Sequence, residues 1–368
     1  RSAAQLMGSL LPDHRQRGAG VKKKTWKKGR IAALGTAAVI VALNAAAWNS
    51  AAFSDWYIEH VFPVWVNSYG RLTGVFPFSV GEWLIVAGLV MAALAIVFAP
   101  VWAVAGIVVG VKRIQEKVPG RKMPCMAGKT AFRLRGGFWK FSRRFYLVFG
   151  WILLCVCLVM TLNCFVLYHA STFSEHYYGQ DEEEYTLVDL IAVYNMVAEE
   201  CNRLAQVMER DEEGMALYPG SVGKNGEALD MADKARELMR QLGETYPQLD
   251  GYYPEPKAMF FSDFMCQQHM QGYYFPFSME ANYNDVMHIL NIPSTMCHEL
   301  AHLRGYIYED EANFIAYLAC VQSEDAFFQY AGYLSVLTYL NNDIYYAWRD
   351  DRPFYEEAAA MGRSKKTI

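Results

Sequence analysis

The sequence predicts a membrane anchor of three α-helices followed by a mainly helical α+β domain with a small sheet. Three observations carry this prediction. Uncharged apolar stretches long enough to cross a bilayer occupy the first half of the chain. The composition turns to that of a soluble domain from His169 onward. Beyond that point, helical spacings of apolar residues alternate with one aromatic segment containing prolines. With 368 residues, 53% of them hydrophobic, the chain has room for both parts. The two regions expected are residues 1–169 and 170–368.

A spanning helix takes about 20 apolar residues. The first is expected at about 31–50, in a stretch rich in Ala and Val, the second at about 83–110 and the third at about 145–168. No charged residue interrupts the second or third, which argues against buried core helices and against a transporter. Lys22, Lys23, Lys24, Lys27, Lys28 and Arg30 precede the first span, and eleven Lys and Arg residues lie in 112–144. Arg71 is the only Lys or Arg between the first and second spans. The positive-inside rule then puts the N-terminus and the 112–144 loop in the cytoplasm and residues 170–368 outside it. These basic runs read as topology and bilayer contact. With a net charge of −4 and an acidic C-terminal part, no nucleic-acid partner is expected. Trp56, Tyr57, Trp65, Tyr69, Phe76 and Phe78 read as an aromatic belt at the outer leaflet.

In the C-terminal region, Leu187 to Leu204 carry apolar residues at helical spacing, so about 185–210 is expected as an amphipathic helix. Asp181–Glu184 reads as a solvated linker, 218–226 as a turn region and 228–242 as a second helix. Residues 259–283 read as extended, with the Phe275-Pro276-Phe277-Ser278 run at a sheet edge, because proline cannot donate to a ladder. A short helix is expected over about 294–304, capped by Ser294 or Thr295 and ended by Gly305, then another over 309–323 and more across 325–360. Cys201, Cys266, Cys297 and Cys320 allow one or two disulfides if their domain is extracytoplasmic.

The chemistry lies in His298-Glu299-Leu300-Ala301-His302. Residues four apart share a helix face, so both imidazoles stack on one side. Two neutral ring nitrogens are half of a tetrahedral zinc site. Glu299 leans the same way without ligating, placed to take a proton from water as a general base. A third ligand is needed, and the candidates follow the turn at Gly305. Glu309 shares a face with Ala312, Asn313 and Ala316, small residues that permit close helix approach; Glu311, with Ile315 and Leu318, is the alternative. Asn313 is placed to hold the Glu309 carboxylate or a histidine ring from behind. Tyr306, Tyr308, Tyr333 and Arg349 are available to stabilise an oxyanion, and spacing does not choose among them.

The run Thr295–Cys320, with Gly272–Phe277 and Glu280-Ala281-Asn282 upstream and three apolar stretches before them, resembles a bacterial membrane family known as domain of unknown function 3810. That resemblance covers most of the chain and implies a zincin/gluzincin-like metallopeptidase fold in a bacterial cell membrane. Glu309-Asp310-Glu311-Ala312-Asn313 is similar to the Glu-x-x-Ala-Asp pattern that opens with the third ligand in membrane gluzincins, with Asn313 in place of the Asp. In such peptidases an edge strand near the metal pairs with an extended substrate, which points to Tyr273, Tyr274 and Phe275. The expected function is a multi-pass zinc metallopeptidase that hydrolyses peptide bonds of peptides or proteins at the outer membrane face through a zinc-activated water. The alternatives are a cell-wall amidase-type zinc hydrolase and a zinc-binding scaffold or sensor without turnover.

Overall fold

The computed structural model describes residues 14–115, 129–179, 185–222 and 228–365. The expected linker at Asp181–Glu184, part of the 112–144 loop and part of the 218–226 turn lie outside them. In chain order the first helices are α1 (His14–Asn49), α2 (Ala51–His60), α3 (Phe62–Trp65), α4 (Arg71–Thr73), α5 (Val80–Gln115), α6 (Lys129–Met160) and α7 (Phe173–Tyr177). Then come α8 (Leu187–Val207), α9 (Met231–Thr245), α10 (Ser262–Gln267), α11 (Ile292–His302), α12 (Glu309–Val321), α13 (Ala326–Asp350) and α14 (Arg352–Lys365). The strands are β1 (Ser221–Val222), β2 (Ala228–Leu229), β3 (Lys257–Ala258), β4 (Gly272–Phe275) and β5 (Glu280–Tyr283). The protein is thus mostly helical.

Three stretches are long and apolar enough to cross a membrane: Lys28–Asn49, Val80–Pro100 and Phe141–His169. Ile31, Leu89, Ile96 and Val148 stay exposed along them, the surface that lipid would cover. The chain divides into two compact units, 1–45 with 91–161, and 46–90 with 162–368.

In the first unit the apolar helices are tied by the few polar groups they carry. Asn44 Nδ2 donates to Thr161 Oγ1 at 2.9 Å, and the Tyr146 hydroxyl donates to the Ala95 carbonyl at 2.6 Å. In hydrocarbon such bonds replace the water that polar groups lose. The Phe98 and Phe145 rings meet edge to face at 5.1 Å.

In the second unit α11 is the central element. Every residue of it except His298 is buried. It packs against α9, α12 and α13 on its sides and against β4 and β5. Ala312, Ala316 and Ala319 line the buried face of α12, which lets the two helices approach closely. α8 opens with a capping box between Thr186 and Asp189, buries Ile191, Val197, Cys201 and Leu204, and packs on α13 and α14. The three-stranded sheet has the order β3-β5-β4, with β3 parallel and β4 antiparallel to β5, and β4 at an edge.

Several expectations are corrected. Residues 259–283 are not continuously extended: Glu82 accepts the backbone N–H groups of Phe260 and Phe261 at 2.9 and 3.0 Å, and the chain then turns into α10 instead of pairing. Residues 228–229 form strand β2, and the second helix begins only at Met231, where Asp230 caps it. Neither Ser294 nor Thr295 caps α11. The helix starts at Ile292 with Pro293 in its first turn, where the missing N–H costs nothing. Ser294 and Thr295 instead donate to the Asn291 carbonyl and to Gln271 Oε1. The aromatic loop after the first span is helical, and Tyr57 is buried in the core beside Phe62 and Val66, although Trp56, Phe76 and Phe78 are exposed. No disulfide forms among the described cysteines. Cys297 and Cys320, both fully buried, face each other from α11 and α12 with 3.9 Å between sulfurs.

Candidate metal centre

α11 ends at His302, and the chain reverses through Leu303–Tyr308 before α12 begins at Glu309. Gly305 makes the reversal possible. Its φ is +97°, and a Cβ there would fall 2.8 Å from the Ile58 side chain. The turn therefore sets the first residue of α12 level with the last turn of α11.

Glu309 Oε2 lies 3.1 Å from His298 Nε2, and its Oε1 lies 3.9 Å from His302 Nε2. One ligand atom from each of the three residues falls within 4.8 Å of the others, the one such His/Cys/Asp/Glu cluster among the described residues. Both imidazoles are held from behind. His298 Nδ1 faces Asn313 Oδ1 at 2.9 Å, and His302 Nδ1 faces the Tyr306 carbonyl at 2.6 Å. Each contact is an acceptor, so each ring donates from Nδ1 and turns its Nε2 toward the cluster. Burial, followed by the neighbouring His298, pushes the His302 pKa down to about 4, which keeps that ring neutral at neutral pH.

Glu299 is buried beneath this cluster. Desolvation first, and the nearby Glu309 charge second, raise its carboxyl well above the ordinary range, opposed by a hydrogen bond from the Tyr274 backbone. Its Oε2 is buried with no hydrogen-bond partner. Such an orphan is costly unless something not yet bound completes it. The Glu309 carboxyl is lowered, chiefly by its hydrogen bond with His298.

The structure separates the two candidate third ligands. Glu309 is mostly exposed and joins the histidines, whereas Glu311 is buried and its Oε2 accepts from the Ser174 backbone N–H at 3.1 Å, at the start of α7.

A family model described as protein of unknown function (DUF3810) matches residues 57–361. The chain belongs to this family. No curated protein and no solved structure matches it. The family match takes in the second and third apolar stretches and all of α11 and α12.

In this DUF3810 chain the edge strand β4 runs beside α11. Gly272 allows the approach, since a Cβ there would fall 2.7 Å from Glu299 Oε1 and 2.9 Å from Thr295 Cγ2. Tyr273, Tyr274 and Phe275 are half-buried. Tyr274 turns its ring toward His302, with centroids 6.1 Å apart, and its hydroxyl donates to the Asn163 carbonyl. Tyr273 and Phe275 face the other side, where Phe275 packs against Gly81 at the start of α5. No other strand pairs with the outer backbone edge of β4 among the described residues.

Among the oxyanion candidates, the Tyr306 hydroxyl donates to Gln248, the Tyr308 hydroxyl donates to the Tyr168 carbonyl at 2.8 Å, Tyr333 packs on Tyr317, and Arg349 pairs with Asp350. Sequence reasoning missed Tyr339. Its hydroxyl accepts from Asn313 Nδ2 at 3.1 Å, so α13 reaches the His298 side of the cluster. No signal in the sequence links residues 26 apart on different helices. Glu280, whose role spacing leaves open, is structural. It is buried, pairs with Lys257 Nζ at 2.6 Å and accepts the Gly81 backbone N–H at 2.8 Å.

Proposed function

We propose that the chain is a zinc-dependent peptidase anchored in the bacterial membrane, with a gluzincin-like catalytic domain that cleaves peptides or proteins at the outer face. One observation carries the proposal. Two histidines with their Nε2 atoms turned inward and one carboxylate converge from two helices, beside a buried carboxylate with an unpartnered oxygen. Two neutral imidazoles and one carboxylate, with room for a further ligand, are a donor set that suits catalytic zinc. The residues thus fit the ion, with His298, His302 and Glu309 holding it.

Zinc in that set supplies Lewis-acid polarisation to a water and to the substrate carbonyl. Glu299 accepts the proton of the attacking water and delivers it to the departing amine. Asn313 and the Tyr306 carbonyl hold the imidazoles in one tautomer and one orientation. The unpaired edge of β4 offers main-chain donors and acceptors to an extended peptide, an arrangement that aligns a scissile bond without demanding a particular side chain. The distribution of basic residues supports a cytoplasmic N-terminus and an extracytoplasmic site.

The test is zinc content and peptide cleavage by the full-length, detergent-purified chain. The expected result is one zinc per chain, lost in His298→Ala and Glu309→Ala, with cleavage abolished and zinc kept in Glu299→Gln. Cleavage of cell-wall fragments but of no peptide would favour an amidase-type hydrolase. A bound zinc together with a cellular phenotype that survives Glu299→Gln would favour a scaffold. A folded chain without zinc overturns the proposal.

A further inference from the structure

A cavity of about 310 Å³ lies behind the turn that closes α11, lined by residues of α2, the segment after the third apolar stretch, the 247–251 loop, Arg304 and Tyr306. None of His298, Glu299, His302 or Glu309 lines it. Its most unusual wall is Arg304. That residue is only 8% exposed, yet among the described residues its guanidinium has no carboxylate partner. Nε and Nη2 reach only the Gln248 carbonyl, at 3.4 and 3.3 Å. The backbone is shaped around the group. Gly251 has φ +146°, and a Cβ there would fall 2.5 Å from Arg304 Nη1. A buried charge without a counter-charge is costly, and a ligand anion would offset it.

The remaining charged and titratable lining groups are Asp55, Glu59, Asp250 and His176. Both Asp55 oxygens are taken, by the Ser171 N–H at 2.8 Å and its hydroxyl at 2.9 Å. Glu59 and Asp250 are exposed. The cavity is thus lined by a buried cation and by exposed carboxylates, the charges that match a small zwitterion. Its walls also adjoin two apolar stretches in sequence: α2 opens at Ala51, just past Asn49, and Ser171 follows His169 closely. A lipid headgroup is the zwitterion that such a position meets.

We infer that this cavity binds the headgroup of a zwitterionic phospholipid of the phosphoethanolamine type, with its phosphate on Arg304 and its ammonium between Glu59 and Asp250. The binding stands independently of any peptidase activity. Tyr306 lines the cavity, and its carbonyl holds His302 Nδ1, so an occupant would steady the turn that orients the cluster.

The experiment is calorimetric titration of the delipidated full-length chain, in detergent, with short-chain phosphatidylethanolamine, short-chain phosphatidylglycerol and a neutral dipeptide. The expected result is saturable binding of phosphatidylethanolamine, weakened at least about tenfold by Arg304→Gln. Phosphatidylglycerol and the dipeptide should bind more weakly by a similar factor. Because Arg304 is buried, the exposed pair Glu59→Gln/Asp250→Asn provides a second variant. It should weaken phosphatidylethanolamine binding while leaving phosphatidylglycerol binding unchanged. Absence of saturable binding, equal affinity for the dipeptide, or an unchanged affinity in the exposed pair would overturn the inference.

Discussion

Asn313 Oδ1 sits 2.9 Å from His298 Nδ1, while His298 Nε2 faces Glu309 Oε2 at 3.1 Å. The ring is held from both sides, and only the outer contact is available to a metal. Removing the support frees the ring to rotate and to change tautomer. Asn313→Ala should therefore lower zinc affinity by about 10–100-fold, whereas Asn313→Asp, which keeps the acceptor, should retain it. Competition with a chelator of known affinity measures both, and equal affinity in the alanine variant would remove Asn313 from the site.

Gly272 brings β4 close to the Glu299 carboxylate. A Cβ there meets Glu299 Oε1 and the Asn282 carbonyl, each at 2.7 Å, and the second is backbone that has no rotamer to change. Gly272→Ala should cost about 1–3 kcal/mol of stability, as overpacking does elsewhere. It should also reduce peptide cleavage more than zinc content. Thermal unfolding and elemental analysis of the same preparation separate the two effects.

Lys257 and Glu280 form a buried ion pair, 8% and 1% exposed at the side chain. Glu280 also accepts the Val80 and Gly81 N–H groups, at the N-terminus of α5, where a negative charge favours the helix dipole. Lys257 donates to the Thr73 and Phe78 carbonyls as well. Glu280→Ala strands a buried ammonium and uncaps α5, so a loss of about 3–5 kcal/mol is expected. Adding Lys257→Met should recover part of it. A double variant no more stable than Glu280→Ala alone would show that the lost helix cap, not the stranded charge, dominates.

Glu309 and Glu311 are two residues apart and point to different tasks. Glu309→Ala should release zinc with little change in folding, because the side chain is 76% exposed. Glu311→Ala should keep zinc and destabilise by about 1–3 kcal/mol, since it leaves the half-buried Ser174 N–H without its acceptor. The reverse pattern in zinc analysis and unfolding would reassign the third ligand.

The sequence by itself determined what depends on neighbours along the chain. Unbroken apolar runs located the three stretches, because a bilayer demands length and lack of charge and little else. Helical spacing located α8, and the interval from His298 to His302 placed both rings on one face, since 3.6 residues make a turn. Local rules failed where a distant group took over the backbone. Glu82 claimed the N–H groups of Phe260 and Phe261, and residues 262–267 of the segment expected as extended became α10. Pro293 and the turn before it, not Ser294 or Thr295, began α11. Only the tertiary structure decided that Glu311 turns to Ser174, that Glu280 locks onto Lys257 and the start of α5, that Tyr339 reaches Asn313, and that Arg304 lies buried beside a cavity. Each of these contacts depends on which helix face meets which neighbour across many residues of chain. Side-chain periodicity specifies that a face is buried, not against what, so such contacts exist only once the whole unit has packed.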